Sequence, residues 1–144
     1  GNLYISNSVI KNNTSGSSGC ILQIKDIGNK SVPRISIYNT TFENNYTTKY
    51  GGVFFIKDDN KIDDKIIVEN CTFKNNKALL GSICHSHSSK SEPRFSNKED
   101  LIAIHGKSAF TTNPTTIKLC SESENIQNIK IDSGDLFNRN ITCM

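Results

Sequence analysis

Two stretches of this chain are dense enough in ligand atoms to do chemistry. The first is the run from Lys57 to Lys65, in which Asp58, Asp59, Asp63 and Asp64 offer carboxylate oxygens. Ca²⁺ takes roughly six to eight oxygens, and an acidic loop is one way to supply them. The run lacks the glycine-spaced pattern of a helix–loop–helix calcium site, and Lys57, Lys61 and Lys65 alternate with the acids. A solvated charged loop is the better reading, with Ca²⁺ the one cofactor to test. The second stretch is His85 and His87 beside Cys84. On a strand, residues two apart share a side, so the pair is a weak metal-ligand candidate. Glu92 lies beyond it with no fixed geometry.

Other reactive residue types are present without the company that catalysis needs. Arg34 and Arg94 each follow a proline, in loops, and are candidates for binding rather than for a lyase base. Glycoside hydrolysis requires two opposed carboxylates. The acids placed on strands, Glu43 and Glu69, fall on different parts of the pattern described below. No GxSxG, GxGxxG or phosphate-loop motif occurs among the many serines and glycines. Catalytic residues are therefore not assigned. The five cysteines, Cys20, Cys71, Cys84, Cys120 and Cys143, form no CxxC pair. Cys71 and Cys84 read as small buried residues, and a Cys120–Cys143 bridge would staple the tail, although connectivity is not legible in a sequence.

These side chains must be positioned by something, and the sequence supplies a repeat. The segments 3–13, 35–45 and 66–76 superimpose. They align Asn7, Asn39 and Asn70, then Ile10, Phe42 and Phe73, then Asn13, Asn45 and Asn76, at spacings of 32 and 31 residues. A second half follows each copy, beginning near Ser18-Gly19, Gly51-Gly52 and Gly81-Ser82. The runs are too short for helices and alternate as strands do. A repeat of this length cannot bury its own apolar face. Stacking copies at the sheet spacing of ~4.8 Å solves this and lines equivalent residues up in columns.

The expected fold is all-β, a right-handed parallel β-helix that is a fragment of a longer chain. Ile10, Phe42 and Phe73 form one expected interior column, and Cys20, Val53 and Ile83 another. Asn7, Asn39 and Asn70 are placed at a tight bend, where asparagine accepts left-handed backbone. Gly51, Gly52 and Gly81 allow the turn into the last strand.

The expected organisation is residues 1–100 as β-helix, with repeats at about 3–29, 35–60 and 66–88. Residues 101–144 are irregular final turns or the start of the following region. Loops 25–34, 57–65 and 86–100 interrupt the pattern and gather on one flank, where repeat proteins often bind. Leu101 to His105 reads as one more strand, and Thr116 to Cys120 as another.

The composition limits function. Of 144 residues only 35% are hydrophobic, with no Trp, which suits a thin core. A net charge of +3 with lysines spread along the chain does not make a nucleic-acid surface. No apolar run is long enough to span a bilayer. Seven Asn-x-Ser/Thr triplets, at Asn12, Asn13, Asn29, Asn39, Asn45, Asn70 and Asn140, are possible glycosylation sites and lean towards an oxidising secretory route.

Phe42-Glu-Asn-Asn45 and Phe73-Lys-Asn-Asn76 resemble the FxxN of polymorphic outer-membrane-protein repeats, and Gly51-Gly-Val-Phe54 resembles their GGA[ILV]. Ile10-Lys-Asn-Asn13 departs in its first residue and Gly81-Ser-Ile-Cys84 in its second. The likeness covers residues 3 to about 88. It implies a parallel β-helix displayed on a surface and used for adhesion. The expectation is thus a non-enzymatic extracellular module, adhesin-like or scaffold-like, whose partner is a carbohydrate or a protein. The alternatives are a fragment of a β-helix polysaccharide lyase or hydrolase, and a purely structural spacer.

Overall fold

The computed structural model describes residues 1–27 and 35–114. The chain divides into two compact units, Gly1–Asn113 and Pro114–Met144, and all the elements below belong to the first. Arg34, Asn29, Asn140, Cys120, Cys143 and the strand expected over 116–120 lie outside the described residues.

The fold is β-rich, and every strand pairing among the described residues is parallel. The first repeat supplies β1 (Leu3–Ser6), β2 (Val9–Lys11), β3 (Thr14–Ser15) and β4 (Leu22–Ile24). The second supplies β5 (Ile35–Tyr38), β6 (Thr41–Glu43), β7 (Tyr46–Thr47) and β8 (Phe54–Ile56). The third supplies β9 (Ile66–Glu69), β10 (Thr72–Lys74) and β11 (Cys84–Ser86). β12 (Arg94–Phe95), helix α1 (Lys98–His105) and β13 (Phe110–Thr112) follow. The sheet orders are β1-β5-β9-β12, β2-β6-β10, β4-β8-β11-β13 and β3-β7. Each strand of the second repeat thus lies between its own copies wherever both exist.

Register follows from burial. Ile10, Phe42 and Phe73 are directly paired, and the rings of Phe42 and Phe73 stack 5.2 Å apart. Ile5, Ile37, Val68 and Phe95 line up beside them, as do Leu22, Phe54, Cys84 and Phe110. A slip of one residue would turn all of these out of the core.

The bends between strands are made by asparagine. Asn7, Asn39 and Asn70 have φ of 49°, 48° and 51°, and Asn12, Asn44 and Asn75 have φ of 60°, 53° and 51°. Asparagine enters this left-handed region more readily than other non-glycine residues. The residue after the first bend closes it from the side: Ser8 and Thr40 hydroxyls donate to the carbonyls of Ser6 and Tyr38 (2.8 Å each), and the Cys71 thiol to that of Glu69 (3.3 Å). Cys71 therefore occupies a hydroxyl's position.

Next to the second bend, Asn13, Asn45 and Asn76 form an inward column. Asn45 is fully buried, and its Nδ2 donates to Ile10 O and Asn76 Oδ1 (both 3.0 Å). Its Oδ1 accepts from the N–H (3.2 Å) and Nδ2 (2.9 Å) of Asn13. A buried amide with all its groups satisfied fixes register instead of weakening the core.

Three expectations need correction. Residues 101–105 belong to a helix and not to a strand. Glu99 and Asp100 sit in its first turn, His105 in its last, and Gly106 at φ 81° ends it with an N–H to Ile102 O at 2.8 Å. That charge order suits the helix dipole. An apolar run alone does not separate strand from helix, and of the four apolar residues from Leu101 to Ile104 only Leu101 is buried. The 86–100 stretch is not wholly a loop, because Arg94–Phe95 pairs with β9 and Phe95 enters the core. The column beneath Val53 and Ile83 holds Ile21 and not Cys20. Within the three repeats the positive-φ glycines are Gly19, Gly51 and Gly81, so the first copy aligns one residue later than the Gly-Gly pattern suggests. At Gly51 a Cβ would meet Phe54 O at 2.1 Å, which leaves room only for glycine.

Candidate binding cleft between two insertions

The two interrupting loops start from adjacent repeats, and each is pinned by a buried side chain. In 57–65, Ile62 is fully buried, and its carbonyl accepts the N–H groups of Lys65 and Ile66. Asp58 is also buried. Its Oδ2 accepts the Ile27 N–H (2.8 Å), and its Oδ1 accepts the Asn60 N–H (2.8 Å) and Nδ2 (2.7 Å). Burial works to raise the pKa of this carboxyl, but the three hydrogen bonds outweigh it, helped by the Lys65 charge, and the net shift is downward. Asp58 is thus a clamp whose oxygens are committed to its own loop at Asn60 and to the backbone of the preceding insertion at Ile27. In the second insertion, Ser91 is buried and exchanges hydrogen bonds with Ser88, while Phe95 anchors the far end.

Pinned this way, the loops meet. Between them is a cleft of about 320 Å³, lined by Lys61, Asp63, Lys90, Glu92, Arg94 and Lys98. Four cations face two acids. Lys98 Nζ is 2.7 Å from Glu92 Oε2, Lys61 Nζ 3.5 Å from Asp63 Oδ2, and Arg94 Nη2 3.5 Å from Glu69 Oε1. Lys90 has no ion pair among the described residues. Asp63 Oδ1 is buried without a hydrogen-bond partner. The cleft therefore brings together Asp63 and Arg94 from the sequence-derived candidates. Asp58, Asp59 and Asp64 are not among its lining residues, so the four aspartates share no common site.

The histidines lie on a different surface. On the side of β8 and β11 opposite Phe54, Phe55 stacks on His85 with ring centroids 5.8 Å apart, and half-exposed Tyr50 lies 5.1 Å from the same imidazole. Thr111 Oγ1 is 2.8 Å from His85 Nδ1, and Asn113 Oδ1 is 3.2 Å from Nε2. Because an amide oxygen only accepts, Nε2 carries the proton and Nδ1 accepts from the threonine hydroxyl. Burial pushes the pKa of this ring down, and the His87 charge adds to that, against a raising contribution from Asn113. With both nitrogens committed, His85 has none left for a metal. His87 Nδ1 instead faces Asp59 Oδ1 at 3.5 Å. Among the described residues no three His, Cys, Asp or Glu side chains are grouped to hold a metal ion.

A larger cleft, of about 630 Å³, opens where α1 crosses the unpaired side of β10. Its charged side chain is Lys74, with His105 opposite, and the rest is strand edge, amide and apolar surface. It is bigger than the loop cleft but poorer in groups that select a ligand. Among the described residues the thiols are not poised for reaction: burial raises the pKa of Cys20, Cys71 and Cys84, the last to about 12.

Asn45 needs a separate correction, because the amide of this glycosylation triplet is wholly inside the fold and a glycan there would break the asparagine column. Asn12, Asn13, Asn39 and Asn70 are exposed.

Sequence reasoning passed over Lys61, Lys90 and Lys98 as parts of a site. Their charges look scattered along the chain, and only the meeting of the two insertions converges them. Thr111 and Asn113 were missed because β13 has no repeat signature. No helix of the described residues is long and apolar enough to cross a membrane. Comparison with family models, curated proteins and solved structures found no match for this chain.

Proposed function

We propose that this chain is a segment of a right-handed parallel β-helix carried by an extracellular or cell-surface protein. Its role in this reading is non-enzymatic binding of acidic carbohydrate, as an adhesin-like or scaffold-like module of the polymorphic outer-membrane-protein type. The β-helix part is supported by parallel pairing of the three repeats at offsets of 30 to 32 residues, with like residues in columns. The binding part is carried by one observation: two separate insertions converge on a cleft where basic side chains outnumber acidic ones four to two. A carboxylated or sulfated sugar supplies anions that Lys90 and Arg94 can meet from the rim.

The test is calorimetric titration with a sulfated oligosaccharide and with its unsulfated parent. The expected result is binding of the sulfated form only, weakened as salt rises because exposed charges are screened beyond about 10 Å at 0.1 M ionic strength. A K90E/R94E variant should lose it. Equal binding of both sugars would refute the charge argument, and no binding would leave a structural spacer. Calcium-dependent release of unsaturated or reducing ends would replace the proposal with a lyase or hydrolase.

A further inference from the structure

The larger cleft, beneath α1, is a gap inside the fold, because strands continue on both sides of it. β12 lies on β9 and β13 on β11, so two sheets reach a fourth strand. The sheet β2-β6-β10 does not, since the chain between β12 and β13 runs as α1. Residues 71–76 and 82–83 line the gap on the strand side, and Asn97, Leu101, Ile104 and His105 on the helix side.

The side chains here select little, but the main chain and one amide select more. In the inward asparagine column each amide serves the turn before it. Asn76 Oδ1 accepts the N–H and the Nδ2 of Asn45, and Asn76 Nδ2 donates to Phe42 O, all at 3.0 Å. Asn45 does the same one turn earlier, for Asn13 and for Ile10 O. The pattern calls for one more amide beyond Asn76. Alternate residues of a parallel strand bond to a given neighbour. Thr72 N–H and Lys74 O are bonded to Thr40 O and Asn44 N–H, so Phe73 O points away from β6. Among the described residues neither Asn76 N–H nor Phe73 O has a partner, and Asn76 Nδ2 uses one of its two hydrogens. The cleft thus presents two donors beside one acceptor. On the helix side Asn97 Oδ1 is buried without a hydrogen-bond partner, so that wall too favours a donor over an anion.

We propose that this cleft binds a small molecule through a primary carboxamide carried on an apolar or aromatic group. The carboxamide oxygen takes Asn76 N–H and Nδ2, and the NH2 group gives a hydrogen to Phe73 O, as Asn76 itself does one turn below. A carboxylate would set its second oxygen against Phe73 O. A trans secondary amide points its N–H away from its oxygen, so neither fills all three places. The apolar carrier lies against Ile83, Leu101 and the exposed Ile104, in a volume of about 630 Å³ that is typical of small-molecule sites. The site shares no lining residue with the loop cleft, so this proposal and the carbohydrate reading fail separately.

The experiment is two-dimensional amide NMR of the 144-residue chain, titrated with benzamide, benzoate and N-methylbenzamide. Benzamide should shift the main-chain signals of Phe73 and Asn76 and the side-chain signal of Asn76. It should bind at least about tenfold more tightly than either analogue, because each analogue leaves a polar group unpaired. Lys74 on the rim favours the acid, which makes benzoate the harder comparison. I104S alters a side chain that is 73% exposed and leaves the fold intact, and it should weaken benzamide binding by about threefold or more. Benzamide that shifts neither Phe73 nor Asn76 would overturn the proposal, as would equal affinity for benzamide and benzoate. N-methylbenzamide binding as tightly as benzamide would overturn the three-point slot. Binding of a capped glutamine tripeptide in place of benzamide would overturn the small-molecule source and make the occupant a partner's side chain.

Discussion

The first and second repeats have nearly the same motif and very different surroundings. Phe42 and Asn45 are 0% exposed, whereas their counterparts Ile10 and Asn13 are half-buried and exposed. β6 has a neighbour on each side, and β2 has one. What differs is position in the sheet, which sets how much a given residue stabilises the fold. Repetition in a sequence therefore does not imply equal energetic weight for the repeated residues.

The sharpest way to break this comparison is a matched pair of core truncations. Phe42→Ala should destabilise the fold by about 3–5 kcal/mol, because it removes a ring packed on Phe73 and Phe54 and leaves a cavity. Ile10→Ala should cost about 1–2 kcal/mol, since its site already opens to water. Urea denaturation of both variants measures the difference, and equal costs would show that the first repeat is covered in solution.

Asparagine gives a smaller and more specific contrast. Asn45→Leu strands the Ile10 carbonyl and the donors of Asn13, for an expected loss of about 2–3 kcal/mol. Asn13→Leu should cost less than about 1 kcal/mol, because water replaces what is lost at an exposed site. Thermal unfolding of the two variants side by side checks the ratio.

The smallest expected effect extends the comparison to the third repeat, where His85 stands in the place of Phe55. The folded-state pKa of His85 lies below its ordinary 6.5. The unfolded chain then binds the extra proton first, so stability is complete above 6.5 and is lost as pH falls through the folded value. H85F should flatten that slope. Acid loss below about 3.8 would remain, because Asp58 is also held below its ordinary value and contributes stability above it. Chemical denaturation from pH 7 to 3 separates the two windows.

The parts legible in the sequence were those where one residue type meets one local demand. Paired Asn marks the left-handed bends, and aromatic residues at matching positions mark the column, because both requirements act within a few residues. The second bend column, Asn12, Asn44 and Asn75, was equally available in the Asn-Asn pairs but was overshadowed by the buried partner beside it. Residues 101–105 misled because an apolar run satisfies strand and helix alike, and the deciding information was Gly106 and the charges of 99–105. The loop cleft was half legible. Insertions could be located, but which of their side chains meet depends on Ile62, Asp58 and Phe95 pinning them.

The offset of 30 to 32 residues between paired strands of the three repeats also sets a mechanical unit. The interstrand bonds run from one repeat to the next. Tension applied through the chain ends loads them one repeat at a time, as when a zip is opened, and not all together in shear. Each repeat that yields lengthens the chain by roughly 11 nm, at about 3.5 Å per extended residue. The same register that aligns the columns thus predicts stepwise lengthening under load, one repeat per step.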